Sequence, residues 1–276
     1  MMYLQQPDAA GDEHFAPIWE EERWHPYCEE WVAANAAYRD AGGDPWLVEP
    51  LGLDDAFIDG QKGLWERYRK DDRVVAIRHI RLPSCPMCGS QNTGSVDHYL
   101  PRETFAEFSV LFENLVPACG ICNSAGKGKT YRGEVATERF IHPYYDLWAA
   151  DPVWKVDIEP PFEAPTFSPS PIAGFAAPIS LIVAFHLKHV LGEQWLAFNE
   201  RTWGALPERL VGRTPNDAPA TSAAVLDALD RRQWDSDRFD GNNSWDSALL
   251  RGIRENPGAL AHLADRTAAV AEKLLA

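Results

Sequence analysis

Long apolar runs are missing from this sequence. The longest, Ile179 to Phe185, falls well short of the ~20 residues needed to cross a bilayer, so no membrane partner is expected. The opening residues, MMYLQQPDAAGDEH, lack the basic and apolar regions of a secretory leader, and export is not expected either. Cysteine is scarce. Of the five in 276 residues, four fall in two tight pairs, which fits a reducing, cytoplasmic setting and a metal better than a disulfide framework. Neither a low-complexity tract nor a repeat period is present, so disordered and solenoid classes fall away. Basic residues are also in deficit, 26 against 41 acidic for a net charge of -15, which argues against binding nucleic acid through the whole surface.

What is present is a globular composition, 45% hydrophobic and 11% aromatic, long enough to bury a core in one large domain or two smaller ones. The charge is unevenly spread. Residues 62–133 hold 11 Lys and Arg against 7 Asp and Glu, whereas the rest holds 15 against 34. This positive island on an acidic chain suggests a local anionic ligand. Trp24, Tyr27, Trp31 and Tyr38 recur at near-helical spacing in 15–40, a turn follows at 41–45, and a second helical zone runs from about Asp54 to Arg81. From Leu82 to about Arg132 the pattern breaks into short pieces: a strand at Ser95–His98, another at Asn114–Ala118, and a helix starting over Gly120–Lys127. VWKVDIE at 152–158 alternates as a strand does, the proline-rich 160–178 reads as a linker or extended rim, and helical patterns follow at about 179–200, 219–233, 244–254 and 257–275. The fold class expected is α+β, mainly α. The C-terminal half either packs on the central region or forms its own domain.

The chemistry-bearing residues concentrate between 85 and 132. Cys85-Pro-Met-Cys88 and Cys119-Gly-Ile-Cys122 are two CxxC pairs. Thiolates three residues apart around a tight turn converge on one ion, and two such turns complete the tetrahedral shell that zinc accepts. Four sulfur ligands leave no open position, so a Zn2+ there is structural and fixes the segment between the pairs. Redox cysteine pairs or four buried thiols are the competing readings. Cys28, alone in a Trp-rich stretch, reads as a buried apolar residue. The enclosed segment carries Asp97-His98 and Asn114, and Asn123 follows the last cysteine with Lys127 and Lys129 beyond it.

Taken together, CPMCG at 85–89, VDHYLPRETF at 96–105, ENLVPACGICN at 113–123 and the two lysines resemble the HNH endonucleases. Order and spacing agree jointly, which is what makes the likeness specific. The resemblance implies a central ββα-metal module at 82–133 braced by zinc on Cys85, Cys88, Cys119 and Cys122, between a helical region at 1–81 and a mainly helical region at 134–276. It implies that Asp97 and Asn123 hold a catalytic divalent ion, that His98 is the general base drawing a proton from the attacking water, and that Asn114 orients the loop carrying the histidine. With Asn123 in place of the more usual histidine, the chain is an HNN variant, and two oxygen donors favour Mg2+ or Mn2+. Lys127, Lys129, Arg102 and Arg132 would hold the nucleic-acid backbone, a contact that carries little sequence information. The implied activity is hydrolysis of DNA phosphodiesters, with RNA as a second candidate substrate. Proteins it resembles include nuclease components of bacterial anti-phage defence systems, some working beside an ATPase; a partner of that kind, or a homo-oligomer, would offset the acidic surface.

The alternative is a zinc-braced module that binds nucleic acid or protein without cutting. Each residue also has a plainer use: His98 as a loop brace, Asn123 as a helix N-cap, the two lysines as a solvated helix end. Three other fragments lead elsewhere. Gly128-Lys129-Thr130 lacks the first glycine and preceding strand of a phosphate loop. His186 and His189 have no acid or cysteine to support them as ligands. His142 suits either a turn before Pro143 or support of the site.

Overall fold

The computed structural model describes residues 2–7, 15–123, 127, 128, 130–212 and 215–276. Its elements are mainly helical with two small antiparallel strand pairs, a mainly α member of the α+β class. The chain divides into two compact units, Met1–Cys88 with Asn92–Ala150, and Gly89–Gln91 with Asp151–Ala276. The first unit thus joins the N-terminal helices to the cysteine-bearing segment, and the boundary after it falls at Ala150. The C-terminal half forms a unit of its own.

In the first unit, α1 (Ala16–Trp19) is followed by α2 (Cys28–Asp40), α3 (Asp55–Tyr68) and α4 (Asp72–His79). The α2 sequence buries Trp31, Ala34, Asn35 and Tyr38, the spacing of one helix face. The second helical zone is broken because Asp71 caps a new helix, accepting from the Arg73 N–H, just as Asp54 caps α3 through the Phe57 N–H. Phe57 meets Trp24, Tyr27 and Trp31 edge to face, at 5.2, 5.0 and 5.0 Å between ring centroids, so three of the four aromatics spaced in the sequence build one cluster, while Tyr38 packs on Phe108. Cys28 departs from expectation: it is half-buried, with its sulfur towards the Trp24 carbonyl at 3.6 Å.

Strands β1 (Ser95–His98) and β2 (Leu115–Ala118) pair antiparallel, with Asp97 opposite Val116 and His98 opposite Leu115. β2 is buried throughout. Val96 and Leu115 pack with Val74 and Ile77 of α4 and with Phe112, which anchors the hairpin on the helices.

In the second unit, β3 (Trp154–Glu159) pairs with β4 (Thr166–Pro171). The proline-rich stretch is therefore partly a strand rather than a linker. Pro169 and Pro171 are tolerated because β4 is an edge with one neighbour and needs no outward N–H. The helical pattern at 179–200 resolves into α5 (Ala177–Val190) and α6 (Glu193–Val211), which runs through Pro207. α7 (Ser222–Phe239), α8 (Trp245–Arg254) and α9 (Pro257–Leu275) complete the unit. α8 lies so close to β3 that a Cβ on Gly252 would stand 1.7 Å from the Val156 carbonyl oxygen, so this contact requires glycine. Among the described residues no helix is long and apolar enough to cross a membrane.

Candidate functional site

The chain from Tyr99 to Asn114 joins β1 to β2 by a path far longer than a tight turn, so the ladder alone does not fix its shape. Asn114 does. The side chain is fully buried and uses its whole hydrogen-bonding capacity: Oδ1 accepts from the Leu100 N–H at 2.7 Å and from the Tyr38 hydroxyl at 3.2 Å, and Nδ2 donates to the carbonyls of Leu100 and Phe108 at 3.0 and 3.1 Å. One side chain pins both ends of the loop.

Behind it lies a buried relay. His142 accepts the Tyr144 N–H on Nδ1 at 3.1 Å, which leaves the ring proton on Nε2 to be donated to the Tyr38 oxygen at 2.9 Å. Burial holds the His142 pKa well below its ordinary value, in keeping with a neutral ring. Both uses open to His142 in the sequence are present: it opens the turn at Pro143, its carbonyl accepting from the Asp146 N–H at 3.1 Å, and its ring supports Asn114 through Tyr38. Tyr38 itself was legible only as one aromatic on a helix face.

The loop held this way carries Ser109, whose carbonyl oxygen lies 2.9 Å from Nε2 of His98. A carbonyl can only accept, so Nε2 bears the proton and Nδ1 the lone pair. Burial pushes the His98 pKa down to about 3, with Arg102 and Lys127 adding to the shift, and the imidazole is neutral at physiological pH. The indole of Trp65, from α3, packs against the imidazole at 4.5 Å with the rings at 66°.

His98, Asp97, Asn123, Trp65, Arg102 and Glu103 line one cleft of about 370 Å3. Asp97 Oδ2 is buried with no hydrogen-bond partner among the described residues. Burial raises the Asp97 pKa, opposed by Lys127. Asn123 sits in a helical turn after β2, its N–H bonded to the Cys119 carbonyl at 3.1 Å, and its amide nitrogen donates to the Ser95 hydroxyl at 2.8 Å. That bond leaves the amide oxygen as the group with cation affinity. The Asp97 carboxylate, with the Lys127 ammonium 3.5 Å from its Oδ2, and an amide oxygen line one cleft, and oxygen donors of this kind suit a hard divalent ion.

The basic residues divide. Arg102 lines the cleft with its guanidinium over the Trp65 ring, 5.8 Å from the centroid. Lys127 is not the surface cation expected: it is 3% exposed, donates to the His98 carbonyl at 2.5 Å and pairs with Asp97 Oδ2 at 3.5 Å, which places its ammonium against β1. Arg132 is also turned away, donating to the Pro45 carbonyl at 2.7 Å and lying over Trp46, since this stretch packs on the loop after α2. Lys129 lies outside the described residues.

Cys85, Cys88, Cys119 and Cys122 are buried with their sulfurs all within 4.8 Å of one another. The Cys88 and Cys119 sulfurs are 3.7 Å apart, close to the ~3.8 Å edge of a tetrahedron with 2.3 Å zinc–sulfur bonds. Backbone N–H groups of Cys119 and Cys122 point at the sulfurs of Cys85 and Cys119, at 3.3 and 3.4 Å, an arrangement that favours thiolates. The cluster could hold a structural metal ion such as zinc. No other group of three or more His, Cys, Asp or Glu among the described residues could hold one; His186 is a buried face residue of α5 and His189 bonds the Phe185 carbonyl.

Over 77 residues the chain is 43% identical to protein ea31 of Escherichia phage lambda, a stretch covering 28% of this chain and 24% of that protein. The match thus spans about a quarter of the curated relative's length, and the name specifies no activity. No protein-family model matches the chain, and no solved structure matches it.

Within the cleft, Trp65 had no sequence signal, because it comes from a helix outside the cysteine-bearing segment. Only packing brings it to His98.

Proposed function

We propose that this chain is a metal-dependent endonuclease of the HNH kind, an HNN variant that hydrolyses DNA phosphodiesters. The observation that carries this reading is the convergence of Asp97, His98 and Asn123 on one cleft, with His98 tied through Nε2 so that Nδ1 is the proton acceptor. His98 Nδ1 takes a proton from the attacking water, while its Nε2–H stays bonded to the Ser109 carbonyl and shares the charge that forms on the ring. Asn114 fixes Phe108, the residue before Ser109, and so sets that carbonyl. Asp97 and Asn123 would hold Mg2+ or Mn2+, which when bound supplies stabilisation of charge on the phosphate and the leaving 3′ oxygen. Arg102 meets the backbone. The four-cysteine cluster, with Zn2+, holds the turn bearing Asn123 against the hairpin. A protein partner such as an ATPase, or a second copy, supplies affinity that an acidic chain lacks, as in nuclease components of anti-phage defence systems.

A second reading, a non-catalytic zinc-braced module, is favoured by the ammonium of Lys127 beside Asp97, since a purely structural carboxylate would be neutralised in the same way. Incubating plasmid, single-stranded DNA and RNA with the protein in Mg2+, in Mn2+ and in EDTA separates the two. Cleavage that needs the ion and is lost in His98→Ala supports the nuclease; intact substrates throughout support the binding module.

A further inference from the structure

The Trp65–His98 contact has no role in the reading proposed above, yet it touches the one group that reading uses as a base. Among the described residues the His98 ring is held by a single hydrogen bond, Nε2 to the Ser109 carbonyl. That bond sets the tautomer, and a half-turn of the ring about Cβ–Cγ would break it, putting carbons where Nε2 and Nδ1 stand. The lone pair would then leave the cleft. The indole of Trp65 stands across this motion: it meets the imidazole at 4.5 Å and 66°, an edge-to-face arrangement that prefers one ring orientation.

Trp65 is itself well placed to act as a wall. Its helix, α3, is capped by Asp54, and the indole packs against the cluster of Val74, Ile77, Val96, Phe112 and Leu115, a group that includes residues of both hairpin strands. The strands and the wall are thus fixed on the same apolar body. The Arg102 guanidinium also lies over the indole, and both residues line the cleft.

We infer that Trp65 is a positioning residue for His98, contributed by the N-terminal helices, which holds the imidazole in the orientation that keeps Nε2 on the Ser109 carbonyl and so presents Nδ1 to the cleft. The inference rests on His98 being the general base. It makes α3 part of the catalytic apparatus, with the strand–turn segment incomplete on its own.

The test uses the full-length chain with its zinc, as wild type, Trp65→Ala and Trp65→Phe, and two readouts. The first is long-range 1H–15N correlation of the histidine rings, with His98 assigned from a His98→Gln spectrum; it requires no activity. Wild type is expected to show one neutral tautomer, protonated on Nε2. Trp65→Ala is expected to show exchange broadening or both tautomers, and Trp65→Phe, which keeps an aromatic edge, to restore the single form. The second is turnover: kcat is expected to fall on the order of 10- to 100-fold in Trp65→Ala, as small misplacements of a catalytic group do, with recovery in Trp65→Phe. Arg102→Ala serves as the control for loss of the stacked guanidinium and is expected to raise KM while leaving the tautomer unchanged. Should Trp65→Ala lose zinc or fail to fold, Trp65→Leu fills the apolar volume without the aromatic edge and takes its place. An unaltered single tautomer in the aliphatic variant, or a kcat equal to wild type, overturns the inference. Absence of cleavage by the wild-type chain would instead sink the nuclease reading, and the tautomer result would still stand or fall by itself.

Discussion

Asn114 shows how much of a site can depend on a residue that touches no substrate. Its amide closes four hydrogen bonds inside a fully buried pocket, and the Tyr38–His142 relay holds it from behind. Replacing it with alanine strands the Leu100 N–H and the carbonyls of Leu100 and Phe108, and we expect Asn114→Ala to cost about 2–4 kcal/mol in urea unfolding. Cleavage should fall with it, because the Ser109 carbonyl loses its fixed place. An unfolding midpoint equal to wild type would show that the loop is held by something else. At this scale the sequence was a partial guide. Asp97, His98 and Asn123 were picked out by the resemblance of the segments that carry them, and the structure places them on one cleft. The burial of Lys127 and the distance of Arg132 were not, because both result from where distant chain segments pack, here β1 and the loop at 45–46.

At the scale of elements, the hairpin and the turn after it are short. Four residues per strand give too few ladder bonds to hold a register unaided, and the four-cysteine cluster supplies a cross-link at their ends. We expect Cys119→Ser, or treatment with a strong chelator, to abolish bound zinc by elemental analysis and to speed amide exchange across Ser95–His98 and Leu115–Ala118, while α5 to α9 keep their protection. Uniform loss of protection through both units would contradict a local bracing role. β1 was readable to the residue, a short piece between Gly94 and the turn-forming Pro101. β4 was hidden by its prolines, which only an edge position tolerates. The break between α5 and α6 was legible but not used: Lys188 and His189 stand in the last turn of α5, and Gly192 and Glu193 open α6.

For the whole molecule, charge is the governing property. A net charge of -15 opposes approach to nucleic acid, and in the cleft the half-buried Arg102 is the one cation among the described lining residues. Affinity for DNA should therefore be weak, and log K should fall against log salt with a slope of magnitude about 2 or less, since few phosphates are neutralised. Arg102→Ala should reduce that slope by about 1. A steep slope from the isolated chain would reveal a basic surface elsewhere and remove the case for a partner.

The central claim is that Asp97, His98 and Asn123 cut a phosphodiester with a divalent ion. Plasmid cleavage by the zinc-loaded chain in Mg2+ or Mn2+, alongside EDTA and the His98→Ala variant, tests it most directly. The account predicts ion-dependent cutting that falls on the order of 10²- to 10⁴-fold when the imidazole is removed, with zinc content and folding unchanged. Cutting that persists at the wild-type rate without the imidazole would contradict it.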